Sequence, residues 1–197
     1  MRRRQCFALL ALLALTPVAA QQTTANAALL AAAARGDVTA IARALSAGAD
    51  RNARDARGRT ALLVATDANH IAAARALIEA GADVNAKDDQ QDSAYLLAGA
   101  RGYLEILRMT LAAGADLKST NRFGGTALIP ACHYGHVETV RELLKTAVAI
   151  DHVNNLGWTA LLEAIILGDG GARHTEIVRM LVAAGANVNL ADRQGTT

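Results

Sequence analysis

Apolar residues recur at intervals of three and four along many short stretches of this chain, and a glycine or a polar turn closes most of them. His136-Val-Glu-Thr-Val140-Arg-Glu-Leu143-Leu144 and His174-Thr-Glu-Ile177-Val178-Arg-Met-Leu181-Val182 are two examples. This spacing lays a single apolar stripe along a helix and predicts amphipathic helices with one buried flank. The polar positions carry a second rhythm. An Asp or Asn opens a turn at Asp55, Asp88, Asn121, Asn154 and Asp192, with three steps of 33 residues and a last step of 38. Near-copies at such a period predict a stacked solenoid. In it each unit buries its flank on the next and leaves an extended face free.

The columns have a physical reading. Asp55-Ala-Arg-Gly58-Arg-Thr60-Ala-Leu62, Asn121-Arg-Phe-Gly124-Gly-Thr126-Ala-Leu128 and Asn154-Asn-Leu-Gly157-Trp-Thr159-Ala-Leu161 share one pattern. The Asp or Asn side chain can tie the turn through its own backbone. Gly58, Gly124 and Gly157 supply a positive φ without steric cost. The Thr hydroxyl is placed to cap the first helix. A second helix follows, and Gly48, Gly81, Gly114 and Gly185 stand where a left-handed C-terminal cap is expected. Each unit reads as turn, helix, turn, helix and extended hairpin.

This unit resembles the ankyrin repeat, through the Thr-Ala-Leu stretches, the Gly-His column and endings such as Gly81-Ala-Asp-Val-Asn85. Ala61, Ala94, Ala127 and Ala160 replace the proline usual in that family, and its His after the Leu is missing. The resemblance covers residues 26–197 and implies an all-α solenoid of helix-turn-helix units with short β-hairpin connections. Repeats fall at approximately 26–53, 54–86, 87–119, 120–152 and 153–190, with the start of a sixth at 191–197. The first lacks its opening hairpin, as an N-terminal cap would. The sixth lacks its helices, and the expectation is that the C-terminus is incomplete. The resemblance also implies protein–protein binding without intrinsic catalysis.

Residues 1–20 stand apart. Arg2, Arg3 and Arg4 precede the uncharged run Phe7–Leu15, and Val18-Ala19-Ala20 ends in small residues. That is the layout of a secretory signal peptide with cleavage near Ala20, and the run is too short to span a bilayer. Its loss takes three of the 20 basic residues and leaves 17 against 18 acidic ones. The net basicity therefore belongs to the leader, and nothing remains that favours a nucleic-acid backbone. Cys132 is then the lone cysteine, with no internal disulfide to form. The expected location is the periplasm or the medium. No membrane insertion of residues 21–197 is expected, and a monomer is. With this leader the chain resembles exported bacterial members of the family. Aromatics at 3% suit thin, alanine-rich helix pairs.

Several positions depart from the pattern. Gln91 stands in the turn-glycine column and Ala147 in the C-cap column, each expected to cost about 1–2 kcal/mol if held left-handed. Thr110 occupies a Leu column. These read as drift in a tolerant array, or as a hinge around repeat three. Pro130 sits in the first turn of its helix, where it costs least. Five extra residues near Asp169–Arg173 predict a flexible or tightly turned loop in repeat five. Glu163 is expected to be partly covered, with Arg173 as a candidate partner.

In an ankyrin stack the turn tips and first helices line a concave face, so the resemblance points to particular positions. Repeat two offers Ala56, Arg57, Arg59, Asp67 and Ala68, and repeat three Asp89, Gln90, Asp92, Ala100 and Arg101, small or charged as a plain solvated surface would be. Repeats four and five offer Arg122, Phe123, His133, Tyr134, Asn155, Leu156, Trp158, Ile166 and Leu167. Exposed apolar clusters and aromatic or Arg anchors mark binding surfaces, so these nine are the candidate partner-binding residues. The alternative is that Trp158, Ile166 and Leu167 pack under the insertion. No catalytic constellation or metal site is expected. His70, His136 and His174 fill the repeated Gly-His column, Cys132 faces inward, and His133 faces away from it, so ligands do not converge. No cofactor is expected. The function implied is a scaffold for a protein partner, as a periplasmic helper of an exported stress-related enzyme or as a secreted effector meeting host proteins.

Overall fold

The computed structural model describes residues 17–197. The basic start, Cys6 and the apolar run Phe7–Leu15 lie outside the described residues. Ten helices appear among those described: α1 (Pro17–Arg35), α2 (Val38–Ser46), α3 (Ala61–Asp67), α4 (Ile71–Glu79), α5 (Ala94–Arg101), α6 (Leu104–Ala112), α7 (Leu128–His133), α8 (Val137–Leu143), α9 (Ala160–Ile166) and α10 (Ala172–Ala183). Successive helices pair within a repeat, and odd packs on odd and even on even between repeats. The result is a two-layer solenoid.

The apolar stripes predicted from periodicity are the ones that meet. Leu62, Tyr95, Leu128 and Leu161 are buried on the first helices, and Leu77, Leu143 and Leu181 on the second. Fully covered alanines at 61, 65, 73 and 74 let the helices come close. Gly99 marks a close approach of α5 and α7, since a Cβ there would lie 2.7 Å from the Ala127 methyl. In α1 Ala25 is buried, while Gln21 to Thr24 are exposed. The helix itself runs without interruption across Ala20 and Gln21.

Every opening residue ties its turn in the same way. The side chain of Asp55 accepts from the amides of Arg57 and Arg59, and Asp88, Asn121, Asn154 and Asp192 repeat this pair two and four residues on. The connections keep a hairpin shape as turns. Among the described residues they hold no strand, only an isolated antiparallel bridge between Arg54 and Thr60. Gln91 takes the left-handed conformation of its column (φ 62°) and keeps its amide on the Asp88 carbonyl, so the turn is not remodelled. Ala147 differs from expectation. It is not left-handed, because α8 stops at Leu143 and the chain turns through Thr146, whose hydroxyl donates to the Leu143 carbonyl at 2.6 Å. The cost expected of a left-handed Ala147 is avoided. Thr110 is buried with its hydroxyl on the Leu107 carbonyl at 2.8 Å, so its polarity is satisfied inside the stack.

The hydroxyl caps form at Thr60, Ser93 and Thr159. Thr126 is the exception: its hydroxyl is buried and without a partner, and α7 starts at Leu128, one position later than its counterparts. The insertion in repeat five also departs from a simple loop. Asp169 accepts from the Gly171 amide at 2.9 Å, and α10 begins at once and runs 12 residues, against nine for α4 and α6. Much of the extra length is therefore helix.

Candidate functional site

Turn tips and the ends of the first helices border an open groove of about 980 Å³ spanning repeats three to five. Six of the nine residues singled out from sequence line it: Arg122, Phe123, His133, Tyr134, Leu156 and Leu167. Their placement follows from the repeat. Arg122 and Phe123 ride on the Asn121 turn and Leu156 on the Asn154 turn. His133, Tyr134 and Leu167 stand at the ends of α7 and α9, where those helices run out toward the open side. Phe123, Tyr134, Leu156 and Leu167 are 51%, 56%, 54% and 41% exposed, a concentration of apolar surface that water does not favour. The Arg122 guanidinium lies 4.8 Å from the centre of the Phe123 ring, within cation–π range.

The other three stand apart. The Asn155 side chain lies over Gly124 of the preceding tip, where an added Cβ would meet its Oδ1, and its amide donates to the Phe123 carbonyl at 2.9 Å. Trp158 is half-buried outside the groove. Ile166 is 40% exposed beyond it, in repeat five. Neither Ile166 nor Leu167 is covered by the insertion.

Beneath the apolar rim lies a polar network that the sequence reading placed elsewhere. Glu163 is 5% exposed and pairs not with Arg173 but with two other groups. One oxygen is 2.8 Å from His133 Nδ1 and the other accepts from Asn154 Nδ2 at 3.1 Å. A carboxylate buried with both oxygens engaged avoids the penalty of an unpaired charge. Asn154 makes this possible: an Asp in its place would have no N–H to offer, while its Oδ1 still ties the turn. The network thus joins a tip, α9 and the preceding repeat's α7.

Repeat three supplies a wall that its charged and small residues did not suggest, through Asp92, Leu97, Ala100, Arg101 and Tyr103. Burial, then the neighbouring Asp88, pushes the Asp92 carboxyl up. His136 is pushed down, mainly by burial. The Cys132 thiol, fully buried on α7, is pushed far up by burial and then by Glu163, so it remains a protonated core group. Next to the groove, repeats two and three form a smaller charged notch of about 400 Å³ between Arg57, Arg59, Asp67 and Asp89. The face therefore changes from charged to apolar along the stack. No cluster of three or more His, Cys, Asp or Glu side chains able to hold a metal occurs among the described residues.

A family model described as ankyrin repeats (three copies) matches residues 3–88 and 95–192. Solved structures are similar over most of the chain. An ankyrin repeat domain from Acinetobacter baumannii AYE is 65% identical with a TM-score of 0.83, over 85% of this chain and 85% of that one. EF0377, an ankyrin repeat protein, is 39% identical with a TM-score of 0.84, over 87% of this chain and 88% of that one. No curated protein matches the sequence significantly.

Proposed function

The chain belongs to the ankyrin-repeat family, and from that premise we propose that it is an exported scaffold that seats a protein partner in the groove of repeats three to five. Ankyrin repeats serve as protein-interaction modules, generally without catalysis, and no catalytic family is indicated. The observation that carries the docking reading is the gathering of Phe123, Tyr134, Leu156 and Leu167, all well exposed, around one groove. Aromatic anchors beside a guanidinium are the usual energetic centre of an interface. A test is affinity capture on the immobilised chain, comparing parent with Leu156→Asp. Partners retained by the parent and released by the variant, with an unchanged melting point, are the expected result. Identical capture by both chains refutes the groove.

Export rests on the layout of residues 1–20. The helper reading places the chain in the periplasm beside an exported stress-related enzyme, and the effector reading places it outside the cell among host proteins. Fractionation with N-terminal mass analysis distinguishes them: a chain beginning near Gln21 and retained in the periplasm supports the helper. The same chain in the medium supports the effector, and an intact N-terminus in the cytoplasm refutes both.

A further inference from the structure

One position of the turn tips changes sign between neighbouring repeats. The residue just before the helix cap is Arg59 in repeat two, Asp92 in repeat three, Gly125 in repeat four and Trp158 in repeat five. Arg59 closes back on the opening residue of its own turn, with its guanidinium 2.8 Å from Asp55. Asp92 meets an opening residue of its own charge, Asp88, and cannot close in that way. Its amide donates to Asp88 at 3.0 Å. Among the described residues its carboxylate enters no ion pair and accepts no hydrogen bond.

The nearby cations are engaged elsewhere. Arg101 leans on Asp67 at 3.5 Å, Arg122 holds the Gln90 side-chain oxygen and the Phe123 ring, and Lys87 donates to the Thr120 carbonyl at 2.7 Å. Their charges draw the Asp92 carboxyl down, yet burial and then Asp88 outweigh them. A half-buried carboxylate so placed is stabilised by a cation that comes to it from outside.

Asp92 also stands where a docked segment would pass. It borders both the charged notch and the apolar groove. Beside it in the next tip, Gly125 carries no side chain, and a Cβ built there would have no neighbour closer than 3.6 Å. The way from Asp92 to Phe123, Leu156 and Leu167 is therefore open. At about 10 Å per repeat, the Leu156 tip lies about 20 Å from Asp92. A helix of about 13 residues or an extended chain of about six covers that span.

We propose that the groove takes a segment with apolar side chains for Phe123, Leu156 and Leu167 and a lysine or arginine for Asp92. This rests on the groove being the docking site, and adds the charge and direction of what docks there. The basic end lies over repeat three and the apolar end over repeat five. An acidic segment is disfavoured. It would bring like charge to Asp92 and Asp88, and the guanidiniums that could answer it are already engaged.

The test is selection of a displayed library of random peptides on the immobilised full chain, keeping those that Leu156→Asp fails to hold. The kept set should be rich in lysine or arginine alongside apolar residues. Asp92→Lys places a cation four residues from Asp88, as Arg59 stands to Asp55, so it should fold with an unchanged melting point. On that chain the same library should yield Asp or Glu at the place of the cation. For one selected peptide, exchanging its basic residue for glutamate should weaken binding to the parent by about tenfold and regain it on the Asp92→Lys chain. Should Asp92→Lys melt lower, Asp92→Asn takes its place, and the basic residue of the peptide should then lose its advantage over alanine. Kept peptides without basic residues, kept peptides rich in acidic ones, or a basic preference that ignores Asp92 overturn the charge assignment and leave the groove standing. A library in which no peptide depends on Leu156 refutes the groove, and this inference with it.

Discussion

Pro130 leaves the buried hydroxyl of Thr126 without a hydrogen-bond partner. In the other repeats the residue four past the cap donates its amide to the cap carbonyl: Val64 to Thr60, Leu97 to Ser93 and Glu163 to Thr159. Pro130 has no amide proton to give. The Ile129 amide takes the Thr126 carbonyl instead, at 3.3 Å, and the hydroxyl it would have served is orphaned. Pro130→Ala should restore both bonds. The expected gain is about 1 kcal/mol, or a melting point raised by about 2–4 °C for a chain of this size. Calorimetry showing a lower melting point would count against this account of the α7 start.

Gln91 holds a left-handed turn position that its counterparts Gly58, Gly124, Gly157 and Gly195 hold without strain. Gln91→Gly relieves that strain but adds freedom to the unfolded chain. The net gain should be roughly 0.5–1 kcal/mol. Urea titration measures it, and a shift to lower midpoint would show that the Gln91 side chain earns more contact than its exposed position provides.

Gly99 fits only because it lacks a Cβ. An added methyl would sit 2.7 Å from the Ala127 methyl and 3.2 Å from its carbonyl oxygen, and both belong to the next repeat. Gly99→Ala should cost about 1–3 kcal/mol by forcing α5 and α7 apart. Denaturant unfolding should show the loss, with amide exchange rising first at the junction of repeats three and four.

Glu163→Ala strips acceptors from His133 and from the buried Asn154 amide at once. The buried Asn154 amide carries a desolvation penalty, whereas the His133 side chain, 35% exposed, can turn to water, and a loss of about 1–3 kcal/mol is expected. Glu163→Gln retains one acceptor and should lose less. The ordering of the two variants in a thermal melt is the check; equal losses would mean that the cavity, and not the hydrogen bonding, sets the cost.

The repeat was legible because its determinants are local. A turn tied by Asp55 or Asn154, a cap by Thr60 and a helix stop at Gly81 are each fixed within a few residues, so a column of letters reports them. What escaped depends on neighbours that sequence spacing does not rank. Glu163 looked like a partner for Arg173, ten residues away, yet its bond is to His133 on the previous repeat. Repeat three looked like plain surface, and its Arg101 and Tyr103 became a groove wall once repeat four was set beside them. Thr126 matches the capping pattern fully, and only the downstream Pro130 cancels it. Ala147 matched a column whose geometry the chain abandons, because Thr146 offers its hydroxyl to Leu143 first.

The tips are also linked to one another. Arg54 reaches the Lys87 carbonyl and Lys87 the Thr120 carbonyl at 2.7 Å, each bond crossing one repeat period. Such rungs lie along the outer margin of the stack, so a tensile load applied at the two ends meets them one after another. Stretched between beads, the molecule should lengthen in discrete steps of a single repeat, peeling like a seam whose stitches part in order.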